Sequence, residues 1–421
     1  MKVSIINLGC KVNKYESDSI ASSLIKEGIE VIYDFSYADI YIVNTCAVTN
    51  EAEKKSRQMV SKCVSINNNA KILVLGCASQ HNKDQFIKSI DNIIYIGGTC
   101  RKMQVVEIIK NLNNKCNLVE SLKLDTSYSD EYQGYYNKTR SYLKIQDGCN
   151  NFCSYCLIPY LRGRSRSRNL ESIYNEAIKL STKTKEIVLT GINISDYKID
   201  NELALDKLVN KLKVIKNVRF RFGSFEMNIL TEQFLKDMSE NKNFCPHFHI
   251  SLQSGSNSVL KRMNRKYTKE EFYETISLIK KYFDNPSFTT DIIVGACEES
   301  EEEFNESYKF IKKVGFMDMH IFPYSRREGT EACKYKLING EIISKRIKKL
   351  EELRKELYSN YINNCKENKY ELLVEEFDGE YYLGHTENYV KVYVIDKLNI
   401  NEIYKVKFDK IYKDGVVGIL A

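Results

Sequence analysis

The sequence predicts an α/β protein in three parts: an N-terminal open parallel α/β layer, a central partial (βα)6 barrel and a small C-terminal β-barrel. Three observations carry this. Short apolar runs alternate with helical periodicity through the first part of the chain. Six further β runs recur at intervals of roughly 30 to 40 residues with helices between them. The tail holds about five short β segments separated by polar turns.

In the first part, residues 3–8, 40–45, 72–76 and 93–97 read as strands. Three of these runs end on a cysteine: IINLGC at Cys10, IYIVNTC at Cys46 and ILVLGC at Cys77. Ligands bind at the carboxyl ends of strands in an open parallel sheet, so cysteines far apart in sequence can converge there. The polar stretch 122–137 has no clear period and reads as an interdomain connection. In the second part the strands are expected at 142–145, 186–190, 218–222, 247–252, 289–294 and 320–322, with helical patterns such as 170–180 and 269–283 between them. A charged helical stretch, 342–361, is expected to pack against this barrel as a connector. The tail, 370–420, turns at Phe377-Asp378-Gly379, Asp396-Lys397 and Lys413-Asp414-Gly415. No repeat of solenoid type is present. The domains are set at 1–121, 138–368 and 369–421.

Composition narrows the classes of function. With 421 residues, 43% hydrophobic and 28% charged, the chain has enough apolar surface for several packed domains and is neither disordered nor fibrous. No run approaches the ~18 apolar residues of a membrane span, and the N-terminus lacks the basic region and apolar core of a signal peptide, so a cytosolic location without membrane attachment is expected. Thirteen cysteines in a reducing compartment point to metal or redox chemistry rather than disulfides. Cys63, Cys100, Cys116, Cys245, Cys333 and Cys365 lie at no such strand end and are expected to be structural thiols. The +7 charge, from 63 Lys+Arg against 56 Asp+Glu, permits a polyanionic partner.

The chemistry concentrates in QDGCNNFCSYC, where Cys149, Cys153 and Cys156 form a CxxxCxxC directly after the first barrel strand. A loop of this size can wrap three thiolates around one face of a 4Fe-4S cluster and leave the fourth iron open to a small molecule. Structural zinc wants four protein ligands, and no second CxxC completes a tetrahedron.

On these residues the sequence resembles the radical S-adenosylmethionine enzymes, whose signature is CxxxCxxC with an aromatic before the third cysteine, here Tyr155. More closely it resembles the methylthiotransferases, almost end to end: Gly9-Cys10-Lys11-Val12-Asn13, Asn44-Thr45-Cys46, IQDGCNNFCSYCLIPYLRGRSRSR, LTGINISDY, HISLQSGSNSVLKRMNRKY and TDIIVG, with GHTENYVKV among the C-terminal segments that look like a TRAM-type RNA-binding domain. The resemblance implies a radical SAM partial barrel and two 4Fe-4S clusters, one on Cys149, Cys153 and Cys156 that chelates S-adenosylmethionine, and an auxiliary one on Cys10, Cys46 and Cys77. One S-adenosylmethionine would methylate a sulfur carried by the auxiliary iron. A second would be cleaved reductively to a 5′-deoxyadenosyl radical that takes hydrogen from the acceptor carbon. No catalytic side chain beyond the cluster ligands is implied; the protein aims the cofactors and excludes solvent.

The run from Leu161 to Arg168, with GCKVN and GHTENY, resembles the branch acting on threonylcarbamoyladenosine beside the tRNA anticodon. Arg162, Arg164, Arg166 and Arg168, at alternate positions, are expected to present one cationic face to phosphates or to the threonyl carboxylate; the alternative is that they are solvated or ion-paired. Thr190, Gly191 and Asn193 in LTGIN, and Ser251, Gln253 and Ser254 in SLQSGS, are candidate S-adenosylmethionine contacts. His247, His249 and His320 are expected to be packed or hydrogen-bonded in the core. The implied partners are the tRNA anticodon stem-loop and a reductant such as flavodoxin or ferredoxin. One departure stands beside the barrel mouth. Where the family continues TDIIVG with a Phe-Pro-Gly-Glu turn, this chain has Ala296-Cys297-Glu298-Glu299, and YSRREGT at 324–330 replaces prolines. The rival readings are an isopentenyladenosine-specific enzyme, a zinc-stabilised RNA-binding protein without catalysis and an iron-sulfur electron carrier. Two triads rather than two quartets of cysteine argue against the last two.

Overall fold

The computed structural model describes every residue except 88–90, 113–118, 130–133 and 135–138, so Cys116 and part of the expected 122–137 connection lie outside the described residues. The first unit is a six-stranded parallel sheet in the order β2-β1-β3-β4-β5-β6. Its strands are β1 (Lys2–Asn7), β2 (Glu30–Ile32), β3 (Ile40–Thr45), β4 (Lys71–Gly76), β5 (Ile93–Gly97) and β6 (Val119–Ser121). Helices α1 (Lys11–Lys26), α2 (Asn50–Ile66) and α3 (Gln104–Lys110) cover it. The central strand β3 is buried along its whole length, which is why it reads as a continuous apolar run rather than an alternating one. Strands β2 and β6 were not anticipated, because three residues are too few to carry a period.

All six expected barrel strands form: β7 (Arg140–Lys144), β8 (Glu186–Thr190), β9 (Arg219–Phe222), β10 (His247–Ile250), β11 (Ser287–Val294) and β12 (Asp318–Pro323). They are parallel but split into two sheets, β9-β8-β7 and, beginning with a two-residue strand at Ser224–Phe225, β10-β11-β12. The crossover helices are α4 (Leu170–Ser181), α5 (Leu205–Leu212), α6 (Glu232–Ser239), α7 (Lys269–Tyr282) and α8 (Glu301–Val314). Capping boxes at Thr268 with Glu271 and Ser300 with Glu303 fix where α7 and α8 begin. Between sheet and helices lies an aromatic core in which Phe222 packs on Phe225 and Phe244 at ring distances of 5.0 and 5.5 Å. The connector helix, α9 (Gly340–Cys365), is tied to the barrel by Arg346, which pairs with Glu299 and Glu301 at 3.1 Å each.

The tail closes as a five-stranded barrel in the order β13-β14-β15-β17-β16, from β13 (Tyr370–Phe377), β14 (Tyr382–His385), β15 (Lys391–Val394), β16 (Ile403–Tyr412) and β17 (Gly415–Leu420). It sits at the amino ends of the larger barrel's strands. There the buried carboxylate of Glu186 accepts from Arg140 at 2.5 Å, Arg219 at 2.7 Å and Arg221 at 2.9 Å. The same arginines donate outward to Glu375 and to the carbonyls of Glu371, His385, Thr386 and Glu387. Tyr389, in a left-handed conformation (φ 67°), stacks on His247 at 4.6 Å and on His385 at 4.9 Å. The GHTENY segment therefore floors the barrel. Among the described residues no helix is long and apolar enough to cross a membrane.

Candidate functional site

Because β1, β3 and β4 are neighbours in the sheet, their carboxyl ends bring Cys10, Cys46 and Cys77 to one place. Cys10 is exposed and caps α1, Cys46 and Cys77 are buried, and each of the latter two lies within electrostatic reach of Cys10. Two glycines make the convergence possible. Gly9 has φ 93°, and a Cβ there would stand 2.8 Å from the Cys46 sulfur; Gly76 has φ 110°, and a Cβ would meet the Thr45 carbonyl at 2.5 Å. The Asn13 amide donates to the Leu8 and Thr45 carbonyls at 2.8 and 3.0 Å. Thr45 Oγ1 donates to the Leu75 carbonyl at 2.8 Å and accepts from Ala78 N at 3.2 Å, which holds the turn that carries Cys77.

Behind this triad runs a buried ion network. Glu16 on α1 pairs with Lys102 at 2.5 Å, Lys144 at 2.8 Å and Arg162 at 3.1 Å, and Asp147 pairs with Lys144 at 2.6 Å and Arg162 at 3.1 Å. Burial alone would raise the Glu16 carboxyl, but Arg162, Lys102 and Lys144 hold it well below the usual range. Arg162 also lies within electrostatic reach of Cys77 and opposes the rise that burial imposes on its thiol.

This overturns the expected cationic face. Arg162 is fully buried in the network; Arg166 is buried, paired with Asp147 at 3.5 Å and bonded to the carbonyls of Arg162 and Arg164; Arg168 is buried, paired with Glu176 at 2.5 Å. Only Arg164 is exposed, stacked on the Phe152 ring at 4.5 Å. The run is only briefly extended, at Arg166–Ser167, and its inward residues meet carboxylates from α1, α4 and the cluster loop, so three of the four charges are spent on buried ion pairs, that of Arg162 with Glu16 crossing to the N-terminal domain.

The second triad is local. Cys149 N donates to the Gly163 carbonyl, Ser154 N to that of Met263, and Ala332 N to that of Ser154, so distant segments brace the loop. The Cys149 sulfur accepts from Asn151 N at 3.5 Å, that of Cys156 from Ile158 N at 3.4 Å, and that of Cys153 from the Arg265 guanidinium at 3.4 Å. Burial pushes the thiols up, Cys149 to about 11 and Cys46 and Cys156 to about 12. They remain protonated until a cation replaces the proton, as thiolate ligands of a metal do. Among the described residues no group of three His, Cys, Asp or Glu side chains is gathered as a ready site for one metal ion. Thiolates on a cubane stand farther apart, each on a different iron, and the soft donors with N–H and guanidinium groups at the sulfurs fit such a cluster.

A cavity of about 200 Å³ is lined by Ala47 and Thr49, just past Cys46, and by Tyr155, Cys156, Gln253 and Asp291. Of the other candidate contacts, Gln253 sits there in a left-handed conformation (φ 67°) and the Ser251 hydroxyl bonds Asp291 at 3.3 Å. Thr190 ends β8 and is buried; Gly191 is needed where a Cβ would press on Gln146 at 3.0 Å; Asn193 keeps a buried Oδ1 without a partner; Ser254 is buried and accepts from Ser256 N. Sequence reasoning missed Gln146, whose amide donates to the Asp147, Gly148 and Ser165 oxygens and accepts from Ile192 N and Asn193 N, joining the cluster loop to the LTGIN turn. It also missed Arg265 and Glu226, paired at 3.2 Å beside Cys153.

His247 and His249 share Thr289 Oγ1 at 2.9 Å each, as expected of core histidines, whereas His320 is exposed, 5.9 Å from the His249 ring. The departing turn is left-handed at Cys297 and Glu298, and its buried Cys297 thiol lies 3.6 Å from Ser154 in the cluster loop. The YSRREGT segment docks on α2 through Arg327 with Asn50 and Glu53. Cys63, Cys100, Cys245 and Cys365 are buried, and Cys333, half-buried, accepts from Arg326.

Residues 143–311 match the radical SAM superfamily, and residues 2–98 match the family described as Uncharacterized protein family UPF0004. The chain is 34% identical to the threonylcarbamoyladenosine tRNA methylthiotransferase MtaB of Chlamydia pneumoniae over 98% of this chain and 97% of that one. It is 36% identical to the MtaB of Bacillus subtilis over 98% and 94%. It is also 33% identical to the ribosomal protein uS12 methylthiotransferase RimO of Clostridium perfringens over 100% and 98%. Among solved structures, the radical S-adenosylmethionine methyltransferase TsrM of Kitasatospora setae, with cobalamin and a 4Fe-4S cluster bound, superposes at a TM-score of 0.56 with 13% identity over 79% of this chain and 76% of that one.

Proposed function

This chain belongs to the radical S-adenosylmethionine methylthiotransferase family, and from that premise we propose that it converts threonylcarbamoyladenosine next to the tRNA anticodon to its 2-methylthio derivative. The observation that carries the reading is one cavity lined both by Cys156 of the loop triad and by Ala47 to Thr49, the residues that directly follow Cys46 of the strand-end triad. Cys149, Cys153 and Cys156 would hold the cluster that binds S-adenosylmethionine, and Cys10, Cys46 and Cys77 an auxiliary 4Fe-4S cluster. When bound, these groups supply the electron that splits S-adenosylmethionine and the sulfur that is methylated and transferred.

The chain's own residues do the positioning. Gln146 ties the cluster loop to Thr190, Gly191 and Asn193, so a cofactor held by the loop also meets that turn. Arg265 offsets negative charge at Cys153. The cavity walls, Tyr155, Ile293 and Phe322 among them, keep water from a reactive intermediate. The domains are drawn at 1–121, 138–368 and 369–421, the last supplying tRNA backbone contacts, with a flavodoxin- or ferredoxin-type reductant.

The test is mass spectrometry of tRNA nucleosides from a strain lacking the gene, paired with the purified enzyme offered threonylcarbamoyladenosine or isopentenyladenosine RNA. Loss of methylthio-threonylcarbamoyladenosine in the strain and its formation in vitro are expected. Methylthio-isopentenyladenosine as the main product would move the chain to the sister specificity. Modification of a ribosomal protein with no tRNA product would move it to the activity named for the RimO relative.

A further inference from the structure

The substrate reading needs a cation for the threonyl carboxylate, and the arginine run does not supply a buried one: Arg162, Arg166 and Arg168 are each committed to carboxylates. Lys11 is different. It is the first residue of α1, directly after Cys10, and is half-buried. Charged groups from four barrel strands lie within its electrostatic reach: Arg140 on β7, Glu186 on β8, Arg221 on β9 and Asp291 on β11.

Each of these neighbours is engaged elsewhere. Glu186 is shared among three arginines, Arg140 and Arg221 reach on to the C-terminal barrel, and Asp291 accepts from His249 at 3.1 Å and Ser251 at 3.3 Å. Among the described residues the Lys11 ammonium itself has no hydrogen-bond or ion-pair partner, and it is not sealed from solvent. Around it stand two arginines and two carboxylates, and both carboxylates are already engaged, so the site is short of negative charge.

We propose that Lys11 is the specificity residue that receives the threonyl carboxylate of the modified adenosine, projecting from the strand-end triad into the barrel interior on the side of Asp291. The proposal rests on the threonylcarbamoyladenosine reading and deepens it. A flexible four-carbon stem carrying a point charge can follow a carboxylate on a rotatable chain, and an isopentenyl group would leave the cation unpaired. The adjacency to Cys10 matters because the acceptor carbon must approach the sulfur carried at that triad, which brings the rest of the modified base within the lysine's reach.

The experiment compares two anticodon stem-loop RNAs on the same enzyme preparation, one carrying threonylcarbamoyladenosine and the other its carboxamide, in which the carboxylate becomes a neutral amide of the same shape. Turnover and equilibrium binding are both measured, for the wild type and for Lys11→Met, Lys11→Gln and Lys11→Arg. The wild type should prefer the carboxylate RNA by about 100-fold. Lys11→Met and Lys11→Gln should bring the ratio to within about threefold of unity, and Lys11→Arg should restore most of it. Because the ratio is internal to each preparation, partial loss of iron next to Cys10 cancels, and the binding ratio is read without turnover. A Lys11→Met enzyme that keeps the wild-type ratio overturns the proposal, as does a wild type that treats the two RNAs alike. A wild type that modifies neither RNA but accepts isopentenyladenosine overturns the substrate reading instead.

Discussion

Cys149, Cys153 and Cys156 sit in one loop, whereas Cys10, Cys46 and Cys77 arrive from three strands separated by helices, and the two triads are supported differently in consequence. The loop triad draws backbone N–H groups of its own segment, Asn151 and Ile158, onto two of its sulfurs, with the Arg265 guanidinium on the third. The strand-end triad has the Arg162 guanidinium of the next domain within electrostatic reach of Cys77, and two glycines where any side chain would collide. A local site takes its geometry from the chain around it, and an assembled site takes its geometry from the fold. Damage to the domain seam should therefore empty the second before the first.

Cysteine replacement gives the largest effect. Changing Cys149, Cys153 or Cys156 to Ala should abolish reductive cleavage of S-adenosylmethionine, while Cys46→Ala should stop methylthio transfer and leave some 5′-deoxyadenosine formation. Either set should lower iron from about eight to about four per chain, since each cubane holds four. Chromatography of the nucleoside and iron analysis after anaerobic reconstitution read both, and equal loss of cleavage in the two sets would show that the triads do not have separate roles.

Next comes the seam. Arg162→Met leaves Glu16 and Asp147 short of a buried counter-charge and should cost about 3–5 kcal/mol, seen as a lowered thermal midpoint with iron lost first from the strand-end triad by Mössbauer spectroscopy. Gly76→Ala should cost about 2–3 kcal/mol, since it meets both a left-handed backbone and the Thr45 carbonyl; the loop triad should keep its iron. Acid probes the same seam. Burial alone would raise Asp147, but Lys144 and Arg162 hold it at about 2, below its usual 3.8, so the stability it lends is fully present above pH 3.8 and is lost as pH falls through about 2. The slope of the midpoint over that window should flatten in Asp147→Asn. Arg164→Gln should matter least. It removes an exposed cation stacked on Phe152 and should change stability by under about 1 kcal/mol, with at most a modest, salt-sensitive loss of tRNA affinity.

Both triads were legible in the sequence for physical reasons. CxxxCxxC encodes its own geometry, and the strand-end cysteines follow apolar runs long enough to identify β1, β3 and β4. The arginine run misled because alternation along a short extended segment says which residues share a face but not whether that face meets water or carboxylates. Glu16 and Lys102, or Glu186 and Arg221, could not be paired in advance: each pair joins segments that only the tertiary fold brings together, and a lone buried charge looks in sequence like any surface charge. Lys11 stands out from its motif only in the folded chain, where the partners of its neighbours are set.

The Glu186 node has a consequence for heredity. One carboxylate is held by three arginines, of which Arg219 and Arg221 are held in turn by carbonyls of the C-terminal barrel and Arg140 by its Glu375 carboxylate, with Tyr389 stacked against His247 beside them. A substitution at any of these positions must be answered on the other side of the boundary. The end barrel and the catalytic barrel therefore drift as a matched pair, and a chimera that joined this barrel to a relative's tail would inherit a mismatch at its floor before any RNA was bound.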